Sequence, residues 1–374
     1  MTRHYLNTDG SMGRRTFLKG TAGAAGVTAL AGCMGGGDGN GSGGDGNGGS
    51  GDGGDDSDGS SGGSSGGSGP TDMVMTTSTE TTAAYAMSQG IAAVVNENSE
   101  EVRLDARPSE GTNANVGRLD REEIQIAYIQ NWTAAKINAG ERPFGDLSFT
   151  PNQVFHLYDL GWFLATANDG WETAADIESG SRVSPTPRGS GTAEMLETAL
   201  NYSTDDYERV SIDYGGQGSA MSEGRLDVGA ATLVNFSIEP GWLQEMKGTT
   251  DLRMLGWSDE AVSQMEEDPG LLLTEVETGD LENYAYTPDP VTMPSLAYNF
   301  VVRNDFSYDA VYNLLTTMWE QRDGLGEYHG LLNTLADGEF WVKNAYDDVP
   351  FHPAAADFYQ EQGLWSDEFT RGEE

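Results

Sequence analysis

Past residue 70, stretches in which apolar and polar residues alternate take turns with stretches in which apolar residues recur every third or fourth position. Met73-Val74-Met75 reads as a short buried strand. Thr76 to Thr82, nearly all Thr, Ser and Glu, reads as a loop carrying helix caps. Ala84, Met87, Ile91 and Val94 then recur at helical spacing. Val102, Leu104 and Ala106 alternate with polar residues, Thr112 to Asp120 suits a short helix, and Ile124, Ile126 and Tyr128 alternate again. Strand, helix, strand, helix, strand in this order predicts a parallel sheet with helices packed on it.

The pattern restarts at Arg182-Val183-Ser184, a strand-like stretch. Thr192 to Leu200 is helical, Val210 and Ile212 alternate as in a strand, Gly218 to Glu223 suits a short helix, and Val228 to Leu233 a buried strand. Val154 to Ala167 is long, apolar and aromatic, as a strand crossing between two lobes would be, and Leu296 to Val302 suits the return. Val311, Leu314, Leu315, Met318 and Trp319 mark an amphipathic helix, and more helix is expected to the C-terminus. The expected class is therefore α/β with two lobes. Lobe 1 covers about 71–155 plus C-terminal helices at about 305–374, lobe 2 about 168–293, and the crossings 154–167 and 294–304. A cleft between the lobes is where open α/β sheets hold ligands, at the C-terminal ends of their strands.

The N-terminal region reads as an address. Arg14-Arg15 is followed by Thr16, Phe17, Leu18 and Lys19, the twin-arginine export pattern. The uncharged run from Gly20 to Gly32 is too short and too rich in Ala and Gly to span a bilayer. Leu30-Ala31-Gly32-Cys33 resembles a lipobox, in which the cysteine is lipidated and the chain is cut before it. Residues 1–33 are thus expected to be an export signal, with Cys33 anchoring the mature protein to the extracytoplasmic face of the cell membrane. Cys33 is the only cysteine, which leaves none for a disulfide, a thiolate metal site or a thiol nucleophile. Residues 34–70 are almost entirely Gly, Ser, Asp and Asn. They are expected to stay disordered and to act as a tether with a reach of roughly 35 Å.

Charge changes the picture further. Asp and Glu number 60 against 20 Lys plus Arg, a formal net charge of −40. Such a surface repels itself in dilute buffer, but in molar salt the Debye length falls to about 3 Å. Acid spread along a well-patterned globular sequence reads as adaptation to brine. Nucleic acid is disfavoured as a partner, because neutralising phosphates needs clustered Lys and Arg. The four histidines, His4, His156, His329 and His352, show no metal-ligand spacing, and no Ser–His–Asp set can be assembled. No metal, cofactor or catalytic residue is expected.

Three stretches then resemble one family. They are RLDARPSEGTNANVGRLDREEIQIAYIQN (103–131), SRVSPTPRGSGTAEMLETAL (181–200) and VPFHPAAADFYQEQGLW (349–365). The last is similar to a C-terminal signature in which Pro–His–Pro precedes a Tyr and a Glu-x-Gly. Together they look like the TAXI family, the extracytoplasmic solute receptors of TRAP transporters, over roughly residues 72–365. The resemblance implies a two-lobed periplasmic-binding-protein-like fold, a small carboxylate ligand such as glutamate, and a TRAP-type ion-coupled permease as partner. It also implies that Thr186 stands where Gly is common, Arg188 where Pro is common and Ala354 where Gly follows the His-Pro pair.

Candidate ligand contacts follow from chemistry at the expected strand ends. Gly189-Ser190-Gly191-Thr192 opens a helix whose first N–H groups have no internal partners, which suits a carboxylate without needing Lys. Arg188 could add a two-pronged guanidinium contact, with a surface ion pair as the open alternative. Thr77, Ser78 and Thr79, and Thr112 with Asn115 after Gly111, sit in comparable strand-to-helix turns, where plain helix capping is the alternative. Tyr85, Tyr128, Asn131 and Trp132, and Thr232, Asn235 and Phe236 at a lobe 2 strand end, could wall the cleft or belong to the core. His352 is expected to be structural. A receptor for another importer or a sensory system, and behind it an enzyme on a two-lobed α/β fold, are the competing functions.

Overall fold

The computed structural model describes residues 69–80, 82–187 and 191–373. Its first elements are strand β1 (Thr71–Thr76), helix α1 (Ala83–Asn98), β2 (Val102–Arg107), α2 (Thr112–Asp120), β3 (Ile126–Gln130), α3 (Asn131–Asn138) and the long β4 (Pro151–Thr166). There follow β5 (Arg182–Ser184), α4 (Gly191–Asn201), β6 (Glu208–Arg209), α5 (Gln217–Ser222), β7 (Val228–Val234), α6 (Gly241–Thr249), β8 (Arg253–Leu255), α7 (Asp259–Glu266) and β9 (Leu272–Val276). A second long strand, β10 (Val291–Arg303), and helices α8 (Tyr308–Glu320) and α9 (Pro353–Gln362) come last.

One sheet, ordered β2-β1-β3-β10-β4-β7-β5-β6, runs through the molecule. β1 pairs in parallel with β2 and β3, and β5 in parallel with β6 and β7. These are two parallel half-sheets, and β4 and β10 join them. The two long strands run antiparallel, Arg303 opposite Pro151 and Ser295 opposite Gly161. Each belongs to both halves. β10 pairs with β3 through residues 298–301 and with β9 through 291–295. β4 passes from β10 to β7, which it meets through residues 160–166. The fold is α/β and two-lobed, with its crossings near Leu160 and Leu296.

Packing explains the long apolar runs. Every residue of β4 except Leu160 is buried, as expected of a strand covered on both faces. In lobe 1, one face packs Met73, Met75, Ile91, Phe155, Phe300, Trp341 and Tyr359 together. The other packs Val116, Leu119, Ile129, Phe144 and Val301. In lobe 2, Phe163, Leu233, Leu243 and Met254 lie on one face and Leu164, Val183, Leu200 and Val228 on the other. Burying each large side chain contributes about 1.5–3 kcal/mol.

Two sequence expectations need correction. The strand expected around Val210 and Ile212 is only Glu208–Arg209. Beyond it Val210 N bonds Val183 O and Ile212 N bonds Ser184 Oγ, so a side chain replaces the ladder. The C-terminal region is also less helical than expected. Arg322–Glu327, Gly330–Ala336 and Gly338–Val342 are 3-10 turns, and α9 is the one α-helix among the described residues after α8.

The C-terminal signature proves to be a brace. His352 caps α9, its Nδ1 accepting from Ala354 N at 3.3 Å, and Pro353 starts the helix, where its missing N–H costs nothing. Tyr359 donates to Val154 O at 2.7 Å, fixing α9 to β4. Gly363 ends the helix at φ +73, a left-handed position that a side chain would strain.

Candidate functional site: the crevice between the lobes

In lobe 1 the strand ends β1, β2 and β3 run into turns that open α1, α2 and α3. The pairing of β1 with β3 stops at Thr76 opposite Ala127. Beyond it the two strands part, and Asn115 fills the gap. Its Nδ2 donates to Thr77 O at 2.7 Å and to Tyr128 O at 3.1 Å. Ser109 Oγ also donates to Thr77 O, at 2.9 Å, and Ser109 N to Ser78 O. The turns after β1 and β2 are thereby knitted into one floor.

Lobe 2 closes onto this floor through the start of α4. A Cβ added at Gly191 would lie 2.1 Å from Gln130 Nε2 and 3.8 Å from Thr112 Oγ1. Glycine lets α4 come this close without displacing the Gln130 amide. One residue on, Thr192 neighbours the Tyr298 hydroxyl of β10. Still in the first turn of α4, Glu194 Oε2 accepts from Trp132 Nε1 at 3.2 Å and from Lys136 Nζ at 2.8 Å, both on α3. Trp132 also lies against Gly270 of lobe 2. The lobes are therefore in contact along one lip of the crevice.

Tyrosines line the crossing strands behind this contact. Tyr128 stacks on Tyr298 with ring centres 4.5 Å apart, and the Tyr128 and Tyr158 hydroxyls are 2.9 Å apart. Trp162 lies 5.9 Å from Tyr214, whose hydroxyl neighbours Thr186. Burial pushes the Tyr128, Tyr158 and Tyr298 hydroxyls well up, and Tyr214 to about 12. All four stay neutral at ordinary pH, because desolvation penalises the phenolate. They offer hydrogen bonds without charge.

Several polar atoms here are buried without a partner: Thr77 Oγ1, Asn115 Oδ1, Gln130 Nε2 and Trp162 Nε1. Thr77 and Asn115 are fully buried and Gln130 is 2% exposed. An unmade hydrogen bond in such a place costs about 1–3 kcal/mol. Gln130 and Thr112 among the polar residues of this floor meet the first residue of α4. The backbone is strained nearby. Thr186, flagged above as replacing a Gly, has φ +86, and Asn235 and Phe236 have φ +48 and +61. A β-branched residue at positive φ is rare outside constrained sites.

The other expected contacts divide. Ser78 is half-buried and Thr79 exposed at the opening. The Tyr85 hydroxyl accepts from Gln89 Nε2 at 2.9 Å. Asn131 Oδ1 accepts from Ala297 N, Thr232 Oγ1 donates to Gly161 O, and Asn235 Oδ1 accepts from Asp159 N. These three tie the crossing strands to their neighbours. Arg188, Gly189, Ser190 and Cys33 lie outside the described residues. Sequence reasoning did not single out Gln130, Tyr158, Trp162, Tyr214 or Tyr298. Gln130 carried a signal, a lone polar residue ending the buried strand Ile126-Ala127-Tyr128-Ile129.

Among the described residues no cluster of His, Cys, Asp and Glu could hold a metal ion, and no helix is long and apolar enough to cross a membrane. Two surface hollows, one by Asn304, Tyr308 and His352 and one by Trp257, Glu266 and Glu275, lie away from the crevice.

Comparison with known proteins adds to this geometry. The profile of the NMT1-like family matches residues 75–363. No curated protein matches the sequence. Similar solved structures include the extracellular-binding protein of a probable amino-acid ABC transporter from Bacillus subtilis, 12% identical, with 71% of this chain and 96% of that one covered and a TM-score of 0.44. The ligand-binding component of an ABC-type import system from Staphylococcus aureus, with zinc bound, is 11% identical over 81% and 97%, at 0.40. A TRAP periplasmic solute-binding protein from Shewanella oneidensis with bound succinate is 10% identical over 79% and 86%, at 0.40.

Proposed function

This chain belongs to the NMT1-like family, and on that footing we propose that it is an extracytoplasmic solute-binding receptor. Its lobes close on a small carboxylate, glutamate-like acids included, and deliver it unchanged to a TRAP-type ion-coupled permease. The observation that carries this reading is the buried, unpartnered Gln130 Nε2 beside the first residue of α4, with Thr77 Oγ1 likewise buried and unpartnered just after β1. Both can donate to a carboxylate oxygen. The N–H groups at the start of α2 add donors and partial positive charge. Neutral tyrosine hydroxyls supply further hydrogen bonds.

The receptor works by differential contact between an open and a closed state. A ligand shifts that balance only by binding the closed state better. Glu194 bonding Trp132 and Lys136 across the lip would form only on closure. Export by the twin-arginine signal, anchoring through Cys33, the tether of residues 34–70 and life in brine complete the proposal. In molar salt, charges beyond a few ångströms are screened, so a net charge of −40 does not forbid an anionic ligand.

Native mass spectrometry of the purified protein, followed by calorimetry in molar salt against carboxylates, amino acids and sugars, tests the reading. A carboxylate is expected to bind, and a neutral sugar binding in its place would refute it. Cys33→Ser is expected to move the protein from the membrane fraction to the medium, and retention in the membrane would remove the anchor.

A further inference from the structure

Asn115 has a fixed orientation. Its two amide hydrogens are both used, one on Thr77 O at 2.7 Å and one on Tyr128 O at 3.1 Å. Flipping the amide would aim its oxygen at two carbonyls, so the network itself assigns Nδ2 and Oδ1. Thr77 O is saturated too, since it also accepts from Ser109 Oγ. What remains is Oδ1, fully buried, able only to accept, and without a partner. Thr112 and Asn115 stand at i and i+3 on α2 and share a face. Thr112 on that face meets Gly191 of lobe 2. Asn115 therefore lies one turn along α2 from that lobe contact.

Thr77 Oγ1 and Gln130 Nε2 can donate, and a carboxylate satisfies them. It cannot satisfy Asn115 Oδ1, which would face it as a second acceptor. Resting on the receptor reading above, we propose that Asn115 is a specificity-determining residue. Its Oδ1 accepts a hydrogen from an amino or hydroxyl group that the ligand carries beside its carboxylate. Thr77 and Asn115 are joined through the Thr77 carbonyl, to which Asn115 Nδ2 donates. The crevice thus selects amino or hydroxy acids over plain acids of the same length and charge. Leaving a buried acceptor unpaired is what gives such sites their discrimination.

Matched acids test this on the unaltered protein. Calorimetry in molar salt would compare succinate with malate and aspartate, and glutarate with 2-hydroxyglutarate and glutamate. In at least one set the substituted acid is expected to bind ten-fold or more tighter than its plain counterpart. Equal affinity throughout a set that binds would overturn the Asn115 assignment and leave the carboxylate reading standing. Binding of none of the six would overturn both. Asn115→Ala, checked for folding by circular dichroism, is expected to bring the ratio close to one. A folded variant that kept the full ratio would also overturn the assignment. Should the variant not fold, the ratio on the unaltered protein decides.

Discussion

The two faces of the crossing strands differ sharply in chemistry. Towards the crevice, Tyr158 of β4 and Tyr298 of β10 stand with Tyr128 as neutral hydroxyls. On the other face, their sequence neighbours Asp159 and Asn299 join a charged, interlocked network. Asp159 Oδ1 accepts from Asn344 Nδ2 at 2.7 Å and lies 3.4 Å from His156 Nε2, and Lys343 Nζ is 2.9 Å from Oδ2. His156 Nδ1 meets Asn299 Oδ1 at 2.7 Å, and Asn299 Nδ2 donates to Gln153 Oε1 at 2.9 Å. Alternation along a strand sends adjacent residues to opposite faces, and register shifts in the β4–β10 pairing let His156 and Asp159 share one side. The lesson is a division of labour. Charge is kept behind the crossing, in an interlocked network, and neutral hydroxyls are kept in front.

The largest break in this contrast is Asp159→Ala. It leaves His156 and Lys343 facing an empty buried position, and a loss of about 3–5 kcal/mol is expected in denaturant unfolding at molar salt. Burial alone would raise the Asp159 carboxyl, but His156 and Lys343 outweigh it and hold the group at about 2. A depressed carboxylate adds stability above its unfolded value, near 4, and that stability is lost as pH falls from there towards 2. This acid-side loss should be smaller in Asp159→Asn. A variant as acid-sensitive as the parent would remove Asp159 from the account.

The middle effect is on the crevice side. Gly191→Ala would place a methyl against Gln130 Nε2. Gln130 is flexible and can turn away, so the melting temperature should hold. Ligand affinity should fall about ten-fold, the loss of one well-placed hydrogen bond to a charged group. Unchanged affinity would show that Gln130 does not touch the ligand. Smallest is Glu194→Gln at the lip. The Lys136–Glu194 pair is partly exposed, with side-chain exposures of 19% and 43%, and such pairs contribute about 0–1 kcal/mol. At most a few-fold loss of affinity is expected by calorimetry, with no change in unfolding midpoint.

Much of the scaffold was legible because periodicity is a local signal. Thr112 to Asp120 reads as a helix and is α2, and all of the apolar run Val154 to Ala167 but its last residue lies within β4. The network behind the crossing was not legible. It joins Gln153 and His156 to residues such as Asn344 and Tyr346, nearly two hundred positions away, with Gln153 Nε2 donating to Tyr346 O at a separation of 193. No pattern in a short window reports such a pairing. The same limit hid Tyr158 and Tyr298, which read only as apolar members of long strands. In the crevice, Thr77, Thr112 and Asn115 were visible as hydroxyls and amides at strand-to-helix turns. That Asn115 would spend both amide hydrogens on backbone required the splay of β1 from β3 to be seen.

The position of β10 in the sheet has a consequence in time. β3 and β4 are consecutive in the chain, yet β10 lies between them and pairs with both. α9, almost at the end of the chain, pins β4 from the outside. Lobe 1 therefore cannot finish while the ribosome is still making lobe 2. Until Val291–Arg303 emerges, β3 and β4 expose unpaired edges, which invite association with other chains. Closing such distant pairings is slow compared with forming local helices. Truncation anywhere before α9 would leave the first lobe open, although β1, β2 and β3 had already been made.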